Sequence, residues 1–136
     1  KTLQASPWKE QVRFHGALDQ DELKAVYRSS QVLAVPSSYE GFGIVYLEGF
    51  SFGLPAVGTT YGAAGEVIGS GDSGLLIPPG DAQGLAAGLA RLANDRGHLL
   101  TLSLGARRRY LTFPGWEASM NSARQWIESM AAGGGA

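Results

Sequence analysis

The 136-residue chain contains no cysteine, which removes disulfides, thiolate metal sites and cysteine nucleophiles together and fits a reducing compartment. No apolar run approaches the roughly 20 residues that span a bilayer as a helix. Lys1-Thr2-Leu3-Gln4 lacks the pattern of a secretory leader. A soluble cytoplasmic chain, at most peripherally attached to a membrane, is the expectation. Histidine is scarce: His15 and His98 stand far apart, so neither a shared metal nor a catalytic pair is expected of them. Between Ser29 and Ala90 there is no lysine or arginine, while Glu40, Glu48, Glu66, Asp72 and Asp81 all fall there. With a net charge of −1, nothing points to a nucleic-acid or anionic-membrane partner.

What is present is the composition of an ordinary soluble globular protein, 44% hydrophobic and 17% charged, at a length that buries a real core. The basic residues gather late, and Arg107-Arg108-Arg109 reads as a solvated helix face. Val12-Arg13-Phe14-His15-Gly16 predicts a short strand ending in a turn. Asp19 is placed to cap a helix reaching Ser29, with Leu23, Val26 and Tyr27 along one face. The apolar run Gln31–Val35, closed by Pro36, predicts a strand buried on both faces, as in a parallel sheet.

Beyond a loop over 37–42, a helix is expected from Gly43 to Phe52, stopped by Gly53-Leu54-Pro55. Short strands follow at Pro55–Gly58 and Gly74–Pro78, separated by a small-residue loop and a helical turn at Glu66–Ile68. Asp81 heads a helix to Ala93 with Leu85, Leu89 and Leu92 inward. Further helices are expected over Arg96–Tyr110 and Trp116–Met130, the last packed down by Trp116 and Trp126. Residues 1–132 form one domain on this pattern and 133–136 a flexible tail. Strands alternating with helices at this spacing specify an α/β fold, a Rossmann-like parallel sheet with flanking helices. A nucleotide-binding domain of that kind opens on a strand and a glycine-rich turn. None precedes Val12, so the front of the domain is expected to be missing.

The informative stretch runs from Pro36 to Glu48 and leaves the carboxyl end of a buried strand, where open α/β sheets place their ligands. Gly41 and Gly43 allow a close backbone approach. The helix starting near Gly43 presents free N–H groups and a partial positive charge, suited to phosphate. Glu48, about 7.5 Å further along the axis, is poorly placed for the phosphate and suits a diol such as a ribose. Glu40, just before the helix, suits sugar hydroxyls on the other side. On spacing alone the alternative stands beside this: Glu40 as a loop charge and Glu48 as a surface helix residue.

Glu40 and Glu48, with seven residues between, resemble the E-x7-E motif of retaining GT-B glycosyltransferases of family 4. Pro36-Ser37, Gly53-Leu54-Pro55, Gly62-Ala63-Ala64-Gly65-Glu66, Gly74–Asp81 and Phe113-Pro114-Gly115-Trp116 resemble the family's further blocks in order. The resemblance spans about Val12 to Trp126 and implies the C-terminal, donor-binding half of a GT-B fold, truncated. It implies that Glu40 acts at the reacting face of the donor sugar, that Gly41, Phe42, Gly43 and Ile44 offer backbone amides to sugar and diphosphate, and that Glu48 holds the ribose. It further implies retention of configuration, no metal, no cofactor beyond the nucleotide-diphosphate sugar as co-substrate, and the leaving phosphate as base.

Two departures stand out. Gly49-Phe50-Ser51-Phe52 replaces smaller residues, and Gly62 precedes two alanines where the family has a glycine pair. The basic residues that neutralise the diphosphate, and the N-terminal acceptor domain, have no counterpart here. One helix terminus supplies about 0.3–2 kcal/mol, so the isolated chain is expected to be inactive and to bind nucleotide weakly. The acceptor, a sugar or a lipid-linked one, is not specified. A non-catalytic nucleotide-sugar-binding or interaction module with the same fold is the alternative; a hydrolase is excluded because Ser37 and Ser38 lack a nucleophile-elbow pattern and a nearby histidine.

Overall fold

The computed structural model describes residues 7–133. Most of the glycine tail expected to be flexible lies outside the described residues, although Gly133 itself closes a helix. The chain divides into two compact units, Lys1–Ser30 and Gln31–Ala136.

The first unit holds a short 3-10 helix, Lys9–Gln11, and helix α1, Gln20–Ser29. Asp19 caps α1 as the sequence predicts. Its carboxylate accepts from the Asp21 and Glu22 amides at 2.9 Å each, while Glu22 accepts from the Asp19 amide at 2.9 Å. This reciprocal box satisfies three amides at once and is worth about 1 kcal/mol. Leu23 and Val26 are half-buried and Tyr27 buried, so the predicted face is the sheltered one. The strand expected at Val12–Gly16 is not formed: the segment is irregular, with Val12 and Phe14 exposed. Among the described residues no strand pairs with it, and an unpaired strand has no ladder to hold it extended.

The second unit is built on a three-stranded parallel sheet in the order β1 (Leu33–Val35), β2 (Ala56–Thr59), β3 (Gly74–Ile77). Helix α2 (Ile44–Ser51) links the first pair and α3 (Ala64–Val67) the second. Helices α4 (Ala82–Asn94), α5 (Arg96–Thr112) and α6 (Trp116–Gly133) follow. Side-chain alternation splits the core into two layers. Leu33, Val35, Ala56 and Leu76 face α2 and α3, packing with Tyr46, Phe50, Val67 and Ile68. Val57, Leu75 and Ile77 face the other way and meet Leu85, Leu89 and Leu92 of α4. Helix α5 closes both layers, with Ala106 in the first and Leu102 in the second.

Several expectations change. β1 is not buried on both faces: Leu33 and Val35 are half-buried and Ala34 is exposed. Among the described residues it is an edge strand, hydrogen-bonded on one side only. The bulk of Phe50 goes into the core, where it is fully buried, and Gly49 lets α2 press against Leu33. Trp116 and Trp126 do not pack a terminal helix; they are 78% and 64% exposed, and apart from Ser119 every side chain of α6 through Ala131 is exposed.

The arginine triplet is not merely a solvated face. Arg107 donates to the Ser51 carbonyl at 2.6 Å, and Arg109 donates to the carbonyls of Val67, at 3.2 Å, and Glu66. Two guanidinium groups of α5 therefore meet the carboxyl ends of α2 and α3, where orphan carbonyls and the helix dipoles favour a cation. Only Arg108, paired with Asp72 at 3.5 Å with both side chains largely exposed, fits the surface reading.

Candidate functional site

The site forms where the chain leaves β1. Pro36 closes the strand, and past it the two loops pair again one residue out of register. Val35 lies opposite Gly58 in the strands, whereas Glu40 bridges Gly62 beyond them. Thr59, fully buried at the end of β2, donates its hydroxyl to the Ser37 carbonyl at 2.8 Å. The Ala63 amide donates to the Glu40 carbonyl at 2.8 Å. Gly62 is obligatory here: its φ is +85°, and a Cβ would collide with the Glu40 carbonyl oxygen. The loop after β2 thus holds the backbone of Glu40 from outside its own segment.

Glu40 is half-buried, and its Oε1 accepts from the Gly43 amide at 3.1 Å. Gly43 is the N-cap of α2 in a left-handed conformation, φ +86°, with Tyr46 so close that a Cβ would sit 2.9 Å from its ring. Glycine at 43 is therefore required by the start of the helix itself. Gly41 has open space where its Cβ would be, so there the backbone is free to be approached. The Tyr46 amide bonds back to the Gly43 carbonyl at 3.0 Å. Between them, the Ile44 and Val45 amides have no hydrogen-bond partner among the described residues. Glu40 occupies only the cap amide; the first two helical N–H groups stay available for an anion.

Phe42 and Ile44 are exposed at 61% and 59%. Glu48 is exposed and four residues beyond Ile44, which puts both on one face of α2. The sequence-named residues Glu40, Gly41, Phe42, Gly43, Ile44 and Glu48 therefore bracket one feature, the amino end of α2. Tyr46, which the sequence did not single out, lies fully buried beneath it and donates to the Val35 carbonyl at 3.5 Å. Burial, and secondarily the nearby Glu40 carboxylate, push its phenol above the ordinary tyrosine pKa.

Sequence reasoning also missed Tyr61. Its ring stands edge-to-face with that of Tyr39, centroids 5.8 Å apart and planes at 70°. The only available signal was two tyrosines, each just before a paired residue of the two loops, and register beyond a strand end cannot be read from spacing. A separate cavity of about 190 Å³ lies between Pro36 and the Pro78–Leu85 turn. It is smaller than the roughly 300 Å³ at which ligand pockets begin and includes neither glutamate. The sequence's Asp-x-Asp triplet, Asp19-Gln20-Asp21, serves helix α1: Asp19 caps it and Asp21 pairs with Lys24 at 3.2 Å.

Comparison with known proteins converges on one family. The model of the family described as glycosyl transferases group 1 matches residues 2–109. A D-inositol 3-phosphate glycosyltransferase of Streptomyces bingchenggensis is 35% identical over 120 residues, covering 88% of this chain and 26% of that protein. The sucrose-phosphate synthase of Thermosynechococcus elongatus superposes with a TM-score of 0.81 at 30% identity, over 96% of this chain and 33% of its own. Anabaena HepE, solved in complex with UDP-glucose, shares the fold with a TM-score of 0.76 at 23% identity, over 96% of this chain and 35% of its own. The chain spans about a quarter of the length of the curated relatives it matches.

Proposed function

Because the chain belongs to the group 1 glycosyl transferases, of GT-B fold, we propose that it supplies the donor-binding part of an enzyme moving a sugar from a nucleotide-diphosphate sugar to an acceptor with retention of anomeric configuration. The observation that carries this is the amino end of α2: two unpartnered amides, Ile44 and Val45, with Glu40 on the loop before them and Glu48 one turn beyond. The solved complex of HepE with UDP-glucose shows that a protein of this fold takes such a donor.

In the proposed arrangement the diphosphate oxygens accept from the Ile44 and Val45 amides, and Gly41 leaves room for the donor sugar against the loop. Glu40 keeps Oε1 on the Gly43 amide, so its carboxylate is held, and Oε2, which has no partner among the described residues, accepts from the sugar's hydroxyls. Glu48 accepts from the two ribose hydroxyls. The bond between C1 and the diphosphate oxygen breaks, the nucleotide diphosphate leaves, and the acceptor oxygen bonds to C1 from the same face. The acceptor's proton passes to the departing phosphate, so no metal and no further cofactor is required. One helix end offsets a fraction of a diphosphate's charge. The remaining cations and the acceptor pocket, for a sugar or a lipid-linked acceptor at the membrane surface, are assigned to an N-terminal domain and earlier segments of the intact cytoplasmic enzyme.

The test is a pair of isosteric substitutions in the intact enzyme. Glu40→Gln lowers kcat by about 10- to 100-fold through the lost charged acceptor. Glu48→Gln raises the donor KM about tenfold with a smaller effect on kcat. Unchanged turnover in both variants rules out the donor-site assignment and leaves this domain as a binding module that takes no part in the enzyme's catalysis.

A further inference from the structure

We infer that Tyr61 is a positioning residue, its ring bracing Tyr39 so that the loop after β2 fixes the orientation of Glu40. The inference rests on the proposed role of Glu40 at the donor sugar and adds to it a residue from a different loop. Two contacts tie that loop to the Glu40 segment at this point: the backbone bridge to Gly62, with the Ala63 amide on the Glu40 carbonyl at 2.8 Å, and the Tyr39–Tyr61 ring pair one residue earlier on both segments. The bridge at Glu40 and the Thr59 hydroxyl on the Ser37 carbonyl, at 2.8 Å, hold the backbone on either side of Tyr39, and the segment between them keeps its freedom to twist. The ring pair adds a side-chain contact between those two backbone anchors and so limits how far the segment entering Glu40 can twist.

The rings are 66% and 60% exposed, so their contact is not a consequence of core packing. It is an edge-to-face geometry between two surface side chains. The Glu40 carboxylate has its own tether, Oε1 on the Gly43 amide. A rotation of the incoming segment would pull against that tether and turn Oε2 away from the sugar. Small misplacements of a group acting at the reacting centre reduce turnover more than binding.

The test is steady-state kinetics of the intact transferase with Tyr61→Ala, Tyr61→Phe, Tyr39→Ala and the Tyr39→Ala/Tyr61→Ala double variant, with Glu40→Gln as reference. Tyr61→Ala is expected to lower kcat about tenfold, with donor and acceptor KM within about twofold. Tyr61→Phe, which keeps the ring, restores kcat. The double variant is no slower than the slower single variant, because both remove one contact. Unchanged kcat in Tyr61→Ala overturns the inference. So does a rise in acceptor KM at constant kcat, which makes the ring an acceptor contact, and so does failure of Tyr61→Phe to restore the rate, which gives the role to the hydroxyl. If Glu40→Gln leaves turnover intact, the proposed role of Glu40 on which this inference rests fails; if Glu40→Gln is slow and Tyr61→Ala is not, only the bracing role fails.

Discussion

At the scale of single residues, Tyr46 links the core to the site. Its ring is fully buried, its hydroxyl donates to the end of β1, and burial followed by the Glu40 carboxylate disfavours its phenolate. The folded state therefore holds the phenolic proton more tightly than the unfolded chain does. Its contribution to stability is fully present below the ordinary tyrosine pKa near 10 and is lost as pH rises through the raised folded value. Urea denaturation across pH is expected to show a decline above about pH 10 that is smaller in Tyr46→Phe. At neutral pH the same substitution costs at most about 1 kcal/mol, because the hydrogen bond it removes is long. An alkaline limb identical in both proteins would show that other groups set it.

The residues proposed to hold the donor stood out at this scale because their signal is local: two glutamates, two glycines and a strand-terminating proline within thirteen positions. Tyr46 was not. A tyrosine in an apolar run such as Ile44–Leu47 carries no mark of which way its hydroxyl points or whether it finds a carbonyl. Gly43 was read as leaving room for a ligand, yet its conformation and the Tyr46 ring beside it already require glycine. Only Gly41 keeps the open space that the sequence attributed to both.

At the scale of elements, the strands and helices after Ser30 fall within a few residues of their expected places. Local cues such as Asp81 and Gly53-Leu54-Pro55 set their ends. What failed depended on partners distant in the chain. Arg107 and Arg109 meet α2 and α3 from 42 to 56 positions away, and a run of like charges gives no hint of such acceptors. Arg109→Met is expected to cost about 1–2 kcal/mol, measured by thermal or urea unfolding, from the loss of the charged donor at the end of α3. A loss within experimental error would return the triplet to the solvated face the sequence predicted.

The pairing of the two loops makes a second prediction at this scale. Gly62→Ala forces a side chain onto the Glu40 carbonyl and out of the left-handed conformation, which is expected to cost about 1–3 kcal/mol. It also releases the Ala63 amide, which should exchange with solvent faster by hydrogen-exchange measurement. Wild-type protection at Ala63 in that variant would mean the bridge does not hold the loop.

At the scale of the whole molecule, the α/β pattern was legible because periodicity switches cleanly between strand and helix along the chain. The register slip past Pro36 was not, since it shows only once the strands are paired. Helix α6 shows the limit of amphipathic reasoning: Trp116, Met120, Ile127 and Met130 follow helical spacing, yet all are exposed. A side chain that buries nothing contributes little to folding, so a chain ending at Pro114 is expected to unfold within about 1 kcal/mol of the full chain. A larger loss would show that α6 packs in solution.

The central claim is that the amino end of α2, bracketed by Glu40 and Glu48, receives the diphosphate of a nucleotide sugar. Its most direct test is a crystal structure of the intact enzyme with a nucleoside-diphosphate sugar bound. The account predicts phosphate oxygens within about 3.2 Å of the Ile44 and Val45 amides, Glu48 across the ribose hydroxyls, and Glu40 Oε2 on the donor sugar with Oε1 still on the Gly43 amide. A diphosphate seated away from those two amides, or Glu40 turned from the sugar, would contradict it.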